Sequence, residues 1–189
     1  MKTISIKIEG VSPLLIHRFS ESSEGEQNIK MKKSGKTDYG TPREQAEKCC
    51  YMDDITQALW VPSTWIKGAI QTVASDYKLK GSRKSLKSVS GGSILPSEEK
   101  IYFCEKYTLK DIEVDSRPVV IQRARVMRHR ARLEKWSLDF FLELDESIIP
   151  TESLNELIID SGKRSGIGDF RPQKGGPFGR YQLVGWVVL

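Results

Sequence analysis

Residues 119–144 read V-V-I-Q-R-A-R-V-M-R-H-R-A-R-L-E-K-W-S-L-D-F-F-L-E-L. Trp136, Leu138, Phe140, Leu142 and Leu144 are apolar at every second position. That period is a strand with one face in a core. The preceding stretch is also rich in β-formers and carries Arg123, Arg125, Arg128, Arg130 and Arg132 with His129. Glu134-Lys135 is the expected hairpin turn between the two strands. Arg123 and Arg125 share one parity, and Arg128, Arg130 and Arg132 share the other. Either a bulge shifts the phase, or both faces of the strand's end are solvated. So many arginines in one strand repel one another unless an anion answers them. Arginine's planar fork makes phosphate the natural anion. A charge-protected edge strand is the plain alternative.

Working outward, residues 2–9 alternate Ile4, Ile6 and Ile8 with polar residues, a second one-faced strand. Gly10 and Pro13 break it, and Leu14 to Ile16 lead to His17. Residues 20–50 are polar and read as a long loop or protruding insertion. V-P-S-T-W-I-K-G-A-I-Q, residues 61–71, starts a helix running to about Tyr77, with Ser63 or Thr64 as its cap and Lys67 in the early turns. Free amides, a hydroxyl and a lysine at a helix start suit an anion. Residues 78–93 are basic with Ser and Gly interspersed, a flexible connector or a second arm; Ile101 to Tyr107 reads as a strand. Thr151 is the expected cap of a helix burying Leu154, Leu157 and Ile158, and Tyr181 to Leu189 is a terminal strand.

Between that helix and that strand lies G-I-G-D-F-R-P-Q-K-G-G-P-F-G-R-Y, residues 166–181. Lys163, Arg164, Arg171, Lys174 and Arg180 are set among glycines and aromatics. The glycines let another backbone or a ligand approach, and the rings offer faces to a base or an arginine. Two nucleotide loops are excluded. Gly162-Lys163 is followed by Arg164 rather than Ser or Thr, with Leu157 where a first glycine belongs. Arg171 occupies the third glycine of a dinucleotide fingerprint, and prolines bar the helix that should come after it.

At 189 residues the chain reads as one domain, 1–189, with insertions at about 20–50 and 78–93. It holds 30 Lys and Arg against 25 Asp and Glu, a net +5 too modest to name a partner without its clustering. Cys49, Cys50 and Cys104 have no C-x-x-C spacing and form no zinc set with the two histidines, so no metal or cofactor is expected. An odd cysteine count without a signal peptide points to the cytoplasm. No apolar run is long enough for a membrane helix. Tyr51-Met52-Asp53-Asp54 matches a reverse-transcriptase signature, but the chain lacks the palm that such an enzyme needs.

The order strand, insertion, helix, strands, helix, glycine loop, strand is β-α-β-β-α-β logic. It sets an α+β fold, a ferredoxin-like or RNA-recognition-motif-like antiparallel sheet with helices on one face and a finger-like insertion. The chain resembles the RAMP superfamily of CRISPR-associated proteins, whose domains are modified RNA-recognition folds. S-P-L-L-I-H, residues 12–17, is similar to the family's first strand. Residues 61–70 resemble its I-P-G-S-S-L-K-G-A-L helix start, and the glycine-rich loop is its hallmark. Ser63 stands where the motif has glycine and Gln71 where it has arginine, so the likeness is to a divergent member.

The resemblance implies a repeated backbone subunit that lines a guide RNA beside other effector subunits, as a homo-oligomer or filament. Ser63, Thr64 and Lys67 would then lie at the RNA backbone. Two other readings stand beside it. One is a RAMP-type endoribonuclease, with His17 as general base or an aspartate on the insertion, Asp38. The other is a structural adaptor without nucleic acid.

Overall fold

The computed structural model describes residues 1–18, 40–121 and 124–189. Asp38, Arg123 and most of the expected 20–50 insertion lie outside them. Strand β1 (Lys2–Gly10) buries Ile4, Ile6 and Ile8 completely. It is flanked by β8 (Ser137–Leu144) and β9 (Tyr181–Val188), both antiparallel. The register sets Ile4, Ile6 and Ile8 opposite Leu142, Phe140 and Leu138, so the inward residues of both strands share one face. Strand β4 (Ile94–Pro96) closes the sheet in the order β4-β8-β1-β9. Helix α2 (Ser63–Val73) lies on the crossover from β1 to β4, and α4 (Thr151–Asp160) on that from β8 to β9. With strand order and crossovers both in place, the fold is α+β and ferredoxin-like. The core fills with Ile66, Ala69, Ile70 and Val73 from α2 and Leu154, Leu157 and Ile158 from α4.

A second sheet carries the arginines. Its order is β2 (Leu14–Ile16), β7 (Ala124–Leu133), β6 (Glu113–Ile121). The hairpin joins β6 to β7, with Ile121 opposite Ala124, and not β7 to β8 across Glu134-Lys135. Those two strands belong to different sheets because Trp136 turns the chain. Its ring lies over Gly10, where a Cβ would sit 2.3 Å from Nε1, and Nε1 donates to the Ser12 carbonyl at 2.8 Å. A two-stranded ribbon, β3 (Trp60–Pro62) with β5 (Lys100–Tyr102), completes the strands; β5 is shorter than the expected Ile101–Tyr107.

Three local expectations are corrected. Neither Ser63, Thr64 nor Thr151 caps a helix: Pro62 and Pro150 hold the cap positions without a side-chain bond. Their fixed φ already suits a helix start, and the Ser63 amide donates to Glu99 O at 2.9 Å. Helix α2 stops at Val73, short of Tyr77, because Lys87 and Leu86 amides take the Ala74 and Tyr77 carbonyls. Residues 78–93 are not a loose connector. They contain the Lys78–Ser85 bridge and helix α3 (Lys87–Ser93), with Leu86, Ser90 and Ser93 buried. Within the expected first insertion, Pro42–Lys48 forms α1, closed by a Thr41–Glu44 capping box and packed on β7.

Candidate nucleic-acid interface

The parity question of the arginine strand is answered by its register. Pairing of β6 with β7 runs without a shift from Glu113–Arg132 to Ile121–Ala124, so no bulge changes phase. Arg128, Arg130 and Arg132 share one face, and Arg125 stands exposed on the other, near the hairpin tip. Opposite residues of an antiparallel pair share a face. Glu113 therefore meets Arg132, Asp115 meets Arg130, and Arg117 meets Arg128. Arg132 also pairs with Glu134, and Arg117 Nε donates to both Asp115 oxygens at 2.9 Å. Arg130 is nearly buried, with Nε 2.5 Å from Asp169 Oδ2. That contact is off the N–H direction, so it is an ion pair and not a hydrogen bond. For Arg130 and Arg132, and for Arg117 opposite Arg128, the expected repulsion is answered by the protein's own acids. Asp115, Arg117 and Asp169 were not singled out from the sequence; only the register and the loop's path bring them to the arginines.

The glycine loop begins as one π-helical turn, Ser161–Ser165, in which Gly166 N bonds Ser161 O at 2.8 Å. A π-turn extends α4 by a residue and re-aims the chain beyond it. The loop then crosses to the second sheet. Asp169 N donates to Leu15 O at 2.9 Å and Gly179 N to Pro13 O at 2.8 Å. The room left by its glycines is filled by its own chain: a Cβ at Gly179 would lie 1.8 Å from Ile167 O, and one at Gly176 1.7 Å from Phe170 O. Phe178 is buried, and Arg117 stacks on its ring at 4.7 Å, so that face receives an arginine. Arg171 is committed as well, donating to Gly168 O at 2.7 Å and to Gln173 Oε1 through Nε and Nη2. Arg164 pairs with Asp76 and Asp160.

The helix-start residues have structural partners too. Ser63 is buried, Thr64 is exposed, and Lys67 Nζ donates to Gly91 O at 2.8 Å, closing the last turn of α3. His129 Nδ1 lies 2.7 Å from Ser116 Oγ. His17 Nδ1 lies 3.6 Å from Cys49 Sγ. Burial is the main cause holding the His17 imidazole below its ordinary pKa, with Asp169 opposing and Arg130 and Arg128 assisting. The Asp53 of the Tyr51–Asp54 stretch is a turn residue, its carboxylate accepting from the Ile55 and Thr56 amides.

After these pairings, Lys163, Lys174, Arg180 and Arg125 remain exposed, with no side-chain partner among the described residues. Lys163 and Lys174 stand on adjoining turns of the loop, and Arg180 closes it beside Ser12. A further cluster escaped the sequence reading. Tyr51 packs against Trp60 and Trp65, Arg18 lies over Tyr51 and Lys100 over Trp60. Its members come from distant segments, so no spacing announces it. Among the described residues no group of three His, Cys, Asp or Glu could hold a metal ion, and no helix is long and apolar enough to cross a membrane.

Among solved structures, this chain is similar to one in the Type III-B Cmr-beta complex bound to cognate target RNA. The TM-score is 0.62 at 13% identity, over all of this chain and 60% of that one. What is shared is the fold. This chain spans 60% of the other's length. A second similar chain is Cmr6 from Pyrococcus furiosus, at TM-score 0.48 and 13% identity, over 96% of this chain and 98% of that one. No protein-family model matches the chain, and no curated protein matches it.

Proposed function

We propose that this chain is a divergent RAMP-type subunit that binds RNA, or another single strand, within a CRISPR-type effector ribonucleoprotein. The observation that carries the reading is the set of unpartnered, exposed cations, Lys163, Lys174 and Arg180, on the loop that braces the two sheets. A rigid frame that presents cations spends little ordering entropy on binding. The fold shared with a chain of an RNA-bound effector complex supports the same reading. The paired arginines of β7 shape and stiffen the frame; Lys163, Lys174 and Arg180 meet phosphate.

In its finer form, the strand is a guide RNA and copies sit side by side along it with other effector subunits. One domain of this size covers only several nucleotides, so coating a strand needs several copies. Multi-angle light scattering with strands of increasing length tests this. The expected result is a protein-to-strand ratio that grows with length. One protein per strand at every length rejects the coating role and leaves a monomeric binding module.

A further inference from the structure

In the β3–β5 ribbon Trp60 stands opposite Tyr102, and Pro62 opposite Lys100. Opposite residues share a face, so Trp60, Tyr102 and Lys100 point outward together, while Val61 and Ile101 fill the core. The rings continue beyond the ribbon. Tyr51 lies 4.9 Å from Trp60 and 5.8 Å from Trp65, centroid to centroid. Tyr102 is 41% exposed, and Tyr51, Trp60 and Trp65 are half-buried. Arg18 rests over Tyr51 at 5.7 Å and Lys100 over Trp60 at 5.2 Å. Asp53, the nearby acid, is held by the Ile55 and Thr56 amides and lies 3.5 Å from Lys100 Nζ. Trp60 Nε1 is covered and has no hydrogen-bond partner among the described residues, an unusual state for an indole donor.

Helix α2 joins these rings to the glycine loop. Trp65, Gly68 and Thr72 recur at three and four residues, so they form one stripe of the helix. Its ends lie about 10 Å apart along the axis. Gly68 is exposed between them, and a Cβ there would meet nothing within 4 Å. At the far end Thr72 Oγ1 accepts from Gln173 Nε2 at 3.1 Å, and Lys174 is the next residue of the loop. We propose that a single strand crosses α2 over Gly68, with its phosphates on Lys174 at one end and its bases stacked on Trp65, Tyr102 and the Arg18–Tyr51 pair at the other. This rests on the loop's assignment to a single strand and adds that bases are held as well as phosphates. Bases stack on aromatic rings and on guanidinium planes, and Arg18 and Lys100 bring charge for the phosphates between them. A cation on each of two rings favours this occupant over an apolar protein segment, whose docking would strip both cations of water.

The test uses the full chain with an oligouridylate of about 12 nucleotides, and inorganic polyphosphate as a polyanion without bases. Tryptophan emission and binding affinity are read together. The expected result is that RNA quenches the emission and polyphosphate does not. Trp65→Leu keeps an apolar side chain and every charge. It is expected to bind RNA about tenfold more weakly at an unchanged salt slope, and polyphosphate as wild type does. Gly68→Gln enters open space and raises helix propensity, so the fold is kept while the path is obstructed; a similar loss of RNA affinity is expected. Either variant, folded by circular dichroism and binding RNA as wild type does, overturns the proposal. So does RNA binding without quenching, or equal quenching by polyphosphate. If Trp65→Leu unfolds, Gly68→Gln and the emission decide. The loop is read separately. If Lys163→Ala/Lys174→Ala/Arg180→Ala alone weakens binding, the loop keeps its assignment and the rings lose theirs. A wild type that binds no RNA overturns both.

Discussion

At residue scale, the glycines of the loop have a different use from the one their spacing suggests. From the sequence they leave room for a ligand; in the fold that room belongs to Ile167 O and Phe170 O. Gly179 has φ +67 and no space for a Cβ, whereas Gly175 has φ +75 and open space. Gly179→Ala is therefore expected to destabilise the protein by about 2–4 kcal/mol, from strain and displaced backbone, and Gly175→Ala by about 1. Urea denaturation separates them, and equal costs would show that the loop is not the brace described. His17 sets a pH dependence. Burial lowers the pKa of its imidazole, so over the range between the two values the folded state binds fewer protons than the unfolded chain, whose histidine titrates near 6.5. Its contribution is complete above that pH and is lost as pH falls toward the lowered folded-state value. Urea midpoints at about pH 7.5 and 5.5 should differ more for wild type than for His17→Gln. An unchanged difference removes His17 as the cause.

At the scale of elements, what could be read in advance was what repeats. Ile4, Ile6, Ile8 and the Leu138–Leu144 series alternate because each strand faces one core, and both strands are found where the period sets them. The apolar stripes of α2 and α4 were legible for the same reason. Pairing was not. The β7–β8 turn at Glu134-Lys135 failed because adjacency in sequence says nothing of Trp136 packing over Gly10. The arginine strand was read as needing phosphate because its acids lie on another strand and in a remote loop. Asp169 links those elements. Asp169→Ala should leave nearly buried Arg130 without its counter-ion and cost about 2 kcal/mol, whereas Arg130→Met with Asp169→Leu should recover much of that. A negligible effect of Asp169→Ala in thermal unfolding would mean that the ion pair does not hold loop to strand.

At the scale of the molecule, a ferredoxin-like core carries a second, arginine-lined sheet, and one loop ties the two together. The net +5 understates how unevenly charge is committed. Arginines 117, 130, 132, 164 and 171 are held by the protein's own acceptors, while Lys163, Lys174 and Arg180 are exposed without partners among the described residues. Composition could not separate these classes, since each side chain's partner is set by the fold. Single-stranded binding should release counterions and weaken steeply with salt, because each phosphate contact adds about −0.7 to the slope of log K against log salt. The decisive measurement is fluorescence anisotropy of a labelled single-stranded RNA across a salt series. It compares wild type with Lys163→Ala/Lys174→Ala/Arg180→Ala, whose fold is checked by circular dichroism. The expected result is weaker binding and a slope shallower by about 2 for the variant. A folded variant that binds with wild-type affinity and slope, or a wild-type affinity indifferent to salt, contradicts the assignment of this loop as the RNA-binding surface.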